Sequence, residues 1–135
     1  MEQHPTRTAV IYVRKATRDG CSAKIDLPTL LVPSRAEANH RGAKIVKVFC
    51  DIGNNAVSGK PSNLHKMLDY LKANSANYVI VQHFYMLSQH PNEFLDIINA
   101  IERSGAKLIS PSGEEEMLPE YRLMCCTMQQ YMDKI

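Results

Sequence analysis

The chain has 135 residues, of which 44% are hydrophobic and 22% charged, and its net charge is +2. This length suits one globular domain, and this composition excludes a disordered chain. No apolar run reaches the ~18 to 20 residues of a membrane span or resembles a signal peptide, so we expect a cytoplasmic protein with no membrane partner. The four cysteines and five histidines show neither CxxC nor HExxH spacing, so we expect no metal site and no cofactor.

The N-terminal part of the chain predicts a strand followed by a helix. Residues 9–14 (AVIYVR) form a β-branched, apolar run that is typical of a buried strand. Asp26 can cap a helix that has Pro28 in its first turn and ends before Gly42. Pro33 falls inside this helix and favours a kink or a late start, because proline removes a backbone hydrogen bond.

The rest of the chain continues the alternation of strands and helices. We expect strands over 44–50, 78–82 and 107–110, helices over 63–73 and 91–103, and a loop over 51–61. Alternation of this kind predicts βαβ units in one three-layer α/β domain, with a mainly parallel sheet of four or five strands and helices on both faces. Functional residues of such sheets lie at the carboxyl ends of the strands, which here are residues 14–20, 51–59 and 83–90.

The C-terminal residues predict a helix from about Pro119 to Ile135, with Glu114, Glu115 and Glu116 near its positive end. Apolar side chains recur along it at alternating spacings of three and four: Tyr121, Met124, Met128, Tyr131 and Ile135. This seam is coiled-coil-like, so we expect residues 118–135 to pair with another subunit in a homodimer or tetramer. A helix that packs only on its own domain is the alternative.

The strand ends carry, in chain order, motifs that resemble the catalytic domain of the resolvase/invertase family of serine recombinases. Residues 12–17 (YVRKAT) resemble its Tyr-x-Arg-x-Ser-Thr opening, and residues 51–59 resemble its Asp-x-Gly-x-Ser-Gly loop. Residues 26–30 and 79–90 stand where the family has Ser-Leu-x-x-Gln and a strand followed by Asp-Arg-Leu-x-Arg. The resemblance implies a resolvase-like fold over residues 1–135. It also implies chemistry in which a serine attacks a DNA phosphodiester while arginines stabilise the phosphoryl group.

This sequence departs from the family pattern at the residues that carry the chemistry. Arg14 and Asp51 are retained, but the nucleophile position holds Ala16, whose methyl group cannot attack phosphate. Other catalytic positions of the family are also replaced, at Gly20, Leu30, Tyr85, Met86 and Gln89, and the chain has no arginine between Arg41 and Arg103. We therefore expect a catalytically inactive recombinase-like protein.

The retained Arg14 and Asp51 leave two interpretations each. Arg14 can hold a phosphate or form a surface ion pair with Asp51, and Asp51 can instead cap the turn that follows it. Met86 and Leu87 predict a more apolar surface at the third strand end than a DNA-cleaving domain needs, which marks either a protein contact or sequence drift.

Three functions remain open from the sequence. The first is an inactive protein that assembles with itself, with an active recombinase or on DNA, in a recombination or mobile-element setting. The second is an active DNA-cleaving fragment in which Ala16 was introduced artificially or Ser22, Ser58 or Ser88 serves as nucleophile. The third is a receiver or flavodoxin-like regulatory domain with Asp51 as phosphoryl acceptor. No helix-turn-helix pattern is present, so we expect no separate DNA-binding domain in these residues.

Overall fold

The computed structural model describes residues 6–15, 27–52 and 62–133. The elements in chain order are β1 (Arg7–Lys15), α1 (Leu27–His40), β2 (Ala43–Ile52), α2 (Ser62–Ala73), β3 (Tyr78–Val81), α3 (Pro91–Arg103), β4 (Lys107–Ile109) and α4 (Leu118–Asp133), with short 3-10 helices at Phe84–Met86 and Glu114–Met117. Every helix and strand that the sequence predicts is present. Residues 51 and 52, predicted to belong to a loop over 51–61, belong to β2, and residues 53–61 lie outside the described residues.

The four strands form one parallel sheet in the order β2-β1-β3-β4. β1 lies inside the sheet, and its residues from Ala9 to Val13 are at most 1% exposed. A strand with neighbours on both sides and helices on both faces needs a continuous apolar run, and residues 9–13 supply it. The carboxyl ends of β2, β1 and β3 are therefore adjacent along one edge.

The helices cover both faces of this sheet, as predicted. Ala9, Ile11 and Val13 of β1 share one core cluster with Leu31 and Ala38 of α1. The alternate residues of β1, Val10 and Tyr12, share the other cluster with α2 and α3, and α4 packs against it through partly buried residues. Because successive side chains of a strand point to opposite faces of the sheet, the side chains of β1 are divided between the two core clusters.

Helix α1 begins at Leu27 and runs through Pro33, so the predicted late start is wrong. Leu31, Ser34 and Ala38 of this helix are buried, and their packing against the sheet offsets the backbone hydrogen bond that proline removes. Gly42 follows with φ of +67°, in the left-handed region, and ends the helix as predicted. Asp26, predicted to cap it, lies outside the described residues.

A register shift in the β1–β2 pair explains why β2 lacks simple alternation. Ala9 pairs with Ile45 but Val10 pairs with Lys47, so Val46 is an extra residue in β2. The side chains of β2 that join the α1-side core change accordingly from Ala43 and Ile45 to Val48 and Cys50. In the part of the chain that is described, no helix is both long and apolar enough to cross a membrane.

Candidate functional site at the carboxyl ends of the strands

The end of β1 brings two cations to the carboxyl edge of the sheet. Arg14 is half-buried and Lys15 is exposed, and their register partners in β2 are Asp51 and Ile52. The positions that follow, Ala16 and Gly20, lie outside the described residues, so the structure places neither of these predicted site residues.

Asp51 is fully buried at the end of β2. Its carboxylate accepts a 2.8 Å hydrogen bond from the Tyr12 hydroxyl and 3.1 Å bonds from the backbone N–H groups of Asn63 and Leu64. It therefore caps the start of α2, where the helix dipole also favours a negative charge. The capping role that the sequence left open for Asp51 thus extends to the next helix, and the adjacent turn lies outside the described residues. The alternative of a surface ion pair placed Asp51 at the surface, but Tyr12 and α2 cover its side chain.

Burial sets the protonation of the groups around Asp51. Burial, reinforced by the hydrogen bond to Asp51, raises the pKa of Tyr12 well above its ordinary value, while the nearby Arg14 acts in the opposite direction. Tyr12 therefore remains a protonated donor at neutral pH. Burial and the charge of Asp51 also raise the pKa of the Cys50 thiol, and burial raises that of Cys125. Neither cysteine is thus an activated thiolate.

The segment after β3 places in different surroundings the three residues that the sequence resemblance predicts to stand at replaced catalytic positions. Tyr85 is 59% exposed and Gln89 is exposed, whereas Met86 is 9% exposed and Leu87 is fully buried. The prediction that Met86 and Leu87 form an apolar surface is therefore wrong, because the 3-10 turn at Phe84–Met86 directs them into the core. Tyr85 supplies the exposed apolar group instead.

A carboxylate from the C-terminal part of the chain occupies the end of β3. Glu114 lies 3.2 Å from His83 Nδ1 through Oε2 and accepts a 3.3 Å hydrogen bond from the backbone N–H of Phe84 through Oε1. The His83 ring in turn stacks on Tyr85 at a centroid distance of 5.4 Å. The chain has no lysine or arginine between Lys72 and Arg103, so this strand end contributes a negative charge and no permanent positive charge.

The glutamates that precede α4 contact other parts of the chain in addition to lying near the start of that helix. Glu115 accepts a 3.0 Å hydrogen bond from the backbone N–H of Ser110, and its other oxygen forms an ion pair with Arg41 at 3.0 Å. The sequence interpretation missed both this contact and the Glu114–His83 pair. Glu114 is 31 residues from His83, and no local pattern signals a contact at that separation.

An open groove of about 270 Å³ runs beside α4, and we call it the α4 groove. It is lined by Phe84, Tyr85, Ser88, Gln89, His90, Pro91, Phe94, Glu114, Tyr121, Met124, Cys125 and Met128. The structure thus brings Tyr85 and Gln89, two residues predicted to stand at replaced catalytic positions, together with three residues of the predicted helix seam. Leu30 lies apart from it, half-buried in the core on the α1 side of the sheet.

The α4 seam is largely exposed. Tyr121 packs partly against the core, but Met124, Met128 and Tyr131 are 52%, 46% and 70% exposed. Ile135, the last predicted seam residue, lies outside the described residues. Leu123 and Met132 are also exposed on this helix, so it presents more apolar surface than the sequence pattern indicated.

Of the three serines considered as alternative nucleophiles, the structure describes Ser88 alone. The Ser88 hydroxyl is buried and accepts a 3.0 Å hydrogen bond from the backbone N–H of His90. Ser22 and Ser58 lie outside the described ranges. Within those ranges, no three His, Cys, Asp or Glu residues cluster as metal ligands would.

Comparison with known proteins identifies the fold and the family. A family model for the "Resolvase, N terminal domain" matches residues 9–134. The structure is similar to the C-terminal catalytic domain of ISC1926 TnpA, an IS607-like serine recombinase, with a TM-score of 0.63 and 27% identity over 80% of this chain and 69% of that chain.

Two more distant structures share the fold. One is the N-terminal catalytic domain of TP901-1 integrase, with a TM-score of 0.62 and 13% identity over 93% of this chain and 97% of that chain. The other is a resolvase family site-specific recombinase from Streptococcus pneumoniae, with a TM-score of 0.63 and 15% identity over 93% of this chain and 91% of that chain. No curated protein sequence matches the chain. Since the family model spans nearly the whole sequence and the parallel sheet agrees with it, the chain belongs to the resolvase N-terminal domain family.

Proposed function

We propose that this serine recombinase-like domain does not cleave DNA and acts by assembling with other protein chains during DNA recombination or in a mobile element. The observation that carries the proposal is Ala16 at the nucleophile position of the motif that begins at Tyr12. A methyl group has no lone pair with which to attack phosphorus and no proton for a base to remove.

The electrostatics of the β3 end support the loss of cleavage. Phosphoryl transfer needs fixed positive groups around the developing charge, and losing one such donor costs about 3 kcal/mol of transition-state stabilisation. At this strand end Glu114 holds His83 and the Phe84 N–H, and Met86 is buried where the family carries arginine. A phosphate that approached this point would meet a carboxylate.

The exposed face of α4 supports the assembly part of the proposal. Large apolar side chains that share one exposed face mark contact sites for other proteins. Met124, Met128 and Tyr131 share such a face, at helical spacings of four and three residues. The partner is a second copy of this chain or another protein, such as an active recombinase.

Incubation with supercoiled plasmid tests the cleavage part. The products are analysed under denaturing conditions for nicked DNA and covalent protein–DNA adducts, and we expect neither. An adduct that disappears on replacing Ser22, Ser58 or Ser88 by alanine would show that another hydroxyl serves as nucleophile. That result would establish the active-enzyme alternative.

A mass measurement in solution tests the assembly part. Light scattering over a range of concentrations reports self-association, and the same measurement with a candidate partner reports a mixed complex. A strict monomer at high concentration that also fails to join any partner would contradict assembly through α4.

The receiver-type alternative is not favoured. It requires Asp51 as an accessible phosphoryl acceptor, whereas this carboxylate is fully buried and accepts three hydrogen bonds.

A further inference from the structure

Two aromatic rings form a stack at the carboxyl end of β3. The rings of His83 and Tyr85 lie within 9° of parallel, with their centroids 5.4 Å apart, which is the offset arrangement that aromatic rings favour. Glu114 contacts the His83 ring at Nδ1 and thereby fixes one side of the stack. The stack is therefore oriented before any ligand binds.

The 3-10 turn keeps Tyr85 at the surface. Its chain neighbours Phe84 and Met86 are buried, at 2% and 9% exposure, whereas Tyr85 is 59% exposed. Because buried side chains on both sides fix the backbone, the Tyr85 ring cannot turn inward without expelling one of them from the packed core. One face of the ring lies against His83, and the high exposure leaves the rest of the side chain open to solvent.

Cationic residues lie at the neighbouring strand end. Tyr12 of β1 pairs with Val81 of β3. Two residues farther along the two segments stand Arg14 and His83, and both are extended, Arg14 within β1 and His83 with φ of −141° and ψ of 138°. Lys15 follows Arg14 and is exposed. An anion bound at the end of β1 would therefore lie beside the aromatic stack.

The stack and the cations match the two parts of a nucleotide. An exposed aromatic ring binds a base by stacking, which the face of every base permits, and a cation beside it binds the phosphate. The carboxylate of Glu114 disfavours a phosphate at the stack itself, but a base carries no charge. Gln89, which is exposed and lines the α4 groove together with Tyr85, offers an amide donor and acceptor to the edge of a base.

A base must be unpaired to reach the stack. In a duplex each base lies between its neighbours, so its face is covered unless the base leaves the helix. We propose that the His83–Tyr85 stack binds an unpaired base of single-stranded DNA, with the adjoining phosphate directed towards Arg14 and Lys15. The strand is DNA because the proposed setting is DNA recombination. The proposal goes beyond the proposed function and requires neither the loss of cleavage nor assembly through α4.

Three labelled oligonucleotides provide the probe. They are a single strand of about 12 thymidine nucleotides, the same strand with abasic sites in place of the bases, and the duplex of the first strand with its complement. Binding to the intact chain is measured by fluorescence anisotropy at low salt. We expect the single strand to bind about fivefold or more tightly than the abasic strand, because the two differ only in the bases that can stack.

Variants at two exposed tyrosines locate the base. Tyr85→Ala is expected to weaken the single strand about fivefold or more and to leave the duplex unchanged, whereas Tyr85→Phe, which keeps the ring, should bind as the parent does. Tyr131→Ala is the matched control, because Tyr131 is 70% exposed on α4 but does not line the groove. It should change neither affinity. Lys15→Gln should weaken the single strand and the abasic strand alike, since it removes a phosphate contact.

Four outcomes would overturn the proposal. Equal affinity for the single strand and the abasic strand would mean that the bases contribute nothing. Equal losses of single-strand and duplex binding in Tyr85→Ala would indicate a general effect on the surface. Absence of binding by chain that circular dichroism shows to be folded would remove the site. Displacement of the strand by adenosine monophosphate at equal concentration would assign the stack to a free nucleotide. None of these results bears on whether the chain cleaves DNA or associates with itself.

Discussion

The hydroxyl of Tyr12 donates a 2.8 Å hydrogen bond to Oδ2 of Asp51, joining β1 to β2 directly below the start of α2. The same carboxylate accepts the backbone N–H groups of Asn63 and Leu64. Three donors thus compensate for the desolvation of a fully buried charge. This arrangement gives the retained aspartate a structural role that persists without any catalytic chemistry.

Removal of the Asp51 carboxylate is expected to destabilise the fold strongly. Asp51→Ala leaves one hydroxyl and two backbone N–H groups without their acceptor, which should lower the free energy of unfolding by about 3 kcal/mol or more. Tyr12→Phe removes a single donor and should cost about 2 kcal/mol. Urea denaturation measures both values. An Asp51→Ala protein as stable as the parent would contradict the capping role.

The stability of the chain should fall steeply in alkali because of Tyr12. Its pKa is raised above the ordinary 10.0, mainly by burial and then by the bond to Asp51. Above pH 10 the unfolded chain therefore releases this proton while the folded chain retains it. The stabilisation is complete below pH 10 and is lost at about 1.4 kcal/mol per pH unit as the pH rises. Unfolding free energies from pH 9 to 11 should decline less steeply in Tyr12→Phe, and parallel curves would refute the assignment.

Two buried serines should respond in opposite directions to the same substitution. Ser34 and Ser110 are 0% and 1% exposed, but Ser34 Oγ has no hydrogen-bond partner among the described residues. Ser110 Oγ accepts a 2.8 Å bond from the Glu114 N–H. Ser34→Ala should therefore raise the free energy of unfolding by up to about 1 kcal/mol, and Ser110→Ala should lower it by about 1 to 2 kcal/mol. Thermal denaturation of the pair checks the signs, and equal losses would show that Ser34 is satisfied.

The contact between Glu114 and His83 should be detectable as coupling between two substitutions. A double-mutant cycle with Glu114→Gln and His83→Ala is expected to give about 0.5 kcal/mol, since the 42% exposed His83 side chain is partly screened by water. The Lys72–Asp69 pair is the control, because its side chains are 77% and 78% exposed and 4.0 Å apart. We expect no measurable coupling there. Equal coupling in the two cycles would mean that Glu114 is not held at the β3 end.

Restoration of the nucleophile alone should not restore cleavage. Ala16→Ser returns the hydroxyl, but the chain still has no arginine between Arg41 and Arg103. One missing transition-state donor lowers turnover about 10²- to 10³-fold, and several are missing together. The plasmid assay should therefore detect no covalent adduct with this variant. Cleavage at a readily measured rate would show that Arg14 and Lys15 suffice.

The sequence by itself determined the order of the elements and the family. The apolar run 9–13 predicted a buried strand, Gly42 marked a helix end, and the strand-end motifs pointed to the resolvase fold. These features depend on local preferences and on periodicities within one element, which are readable from neighbouring residues. The proposed loss of the nucleophile is equally local, because it is read from the identity of one residue, Ala16, in a motif.

Only the tertiary structure decided where the side chains of the site lie. The sequence could not show that Asp51 caps α2, that Met86 turns inward while Tyr85 stays exposed, or that Glu114 reaches β3. The contacts of Asp51 and Glu114 join segments that are distant in the sequence, and these segments meet only because of the way the helices cross the sheet. The burial of Met86 rather than Tyr85 depends on the tight 3-10 turn, in which successive side chains point in different directions. Ala16 can be read directly from the sequence, whereas the groove lined by both Tyr85 and Met124 exists only because α4 packs beside the end of β3.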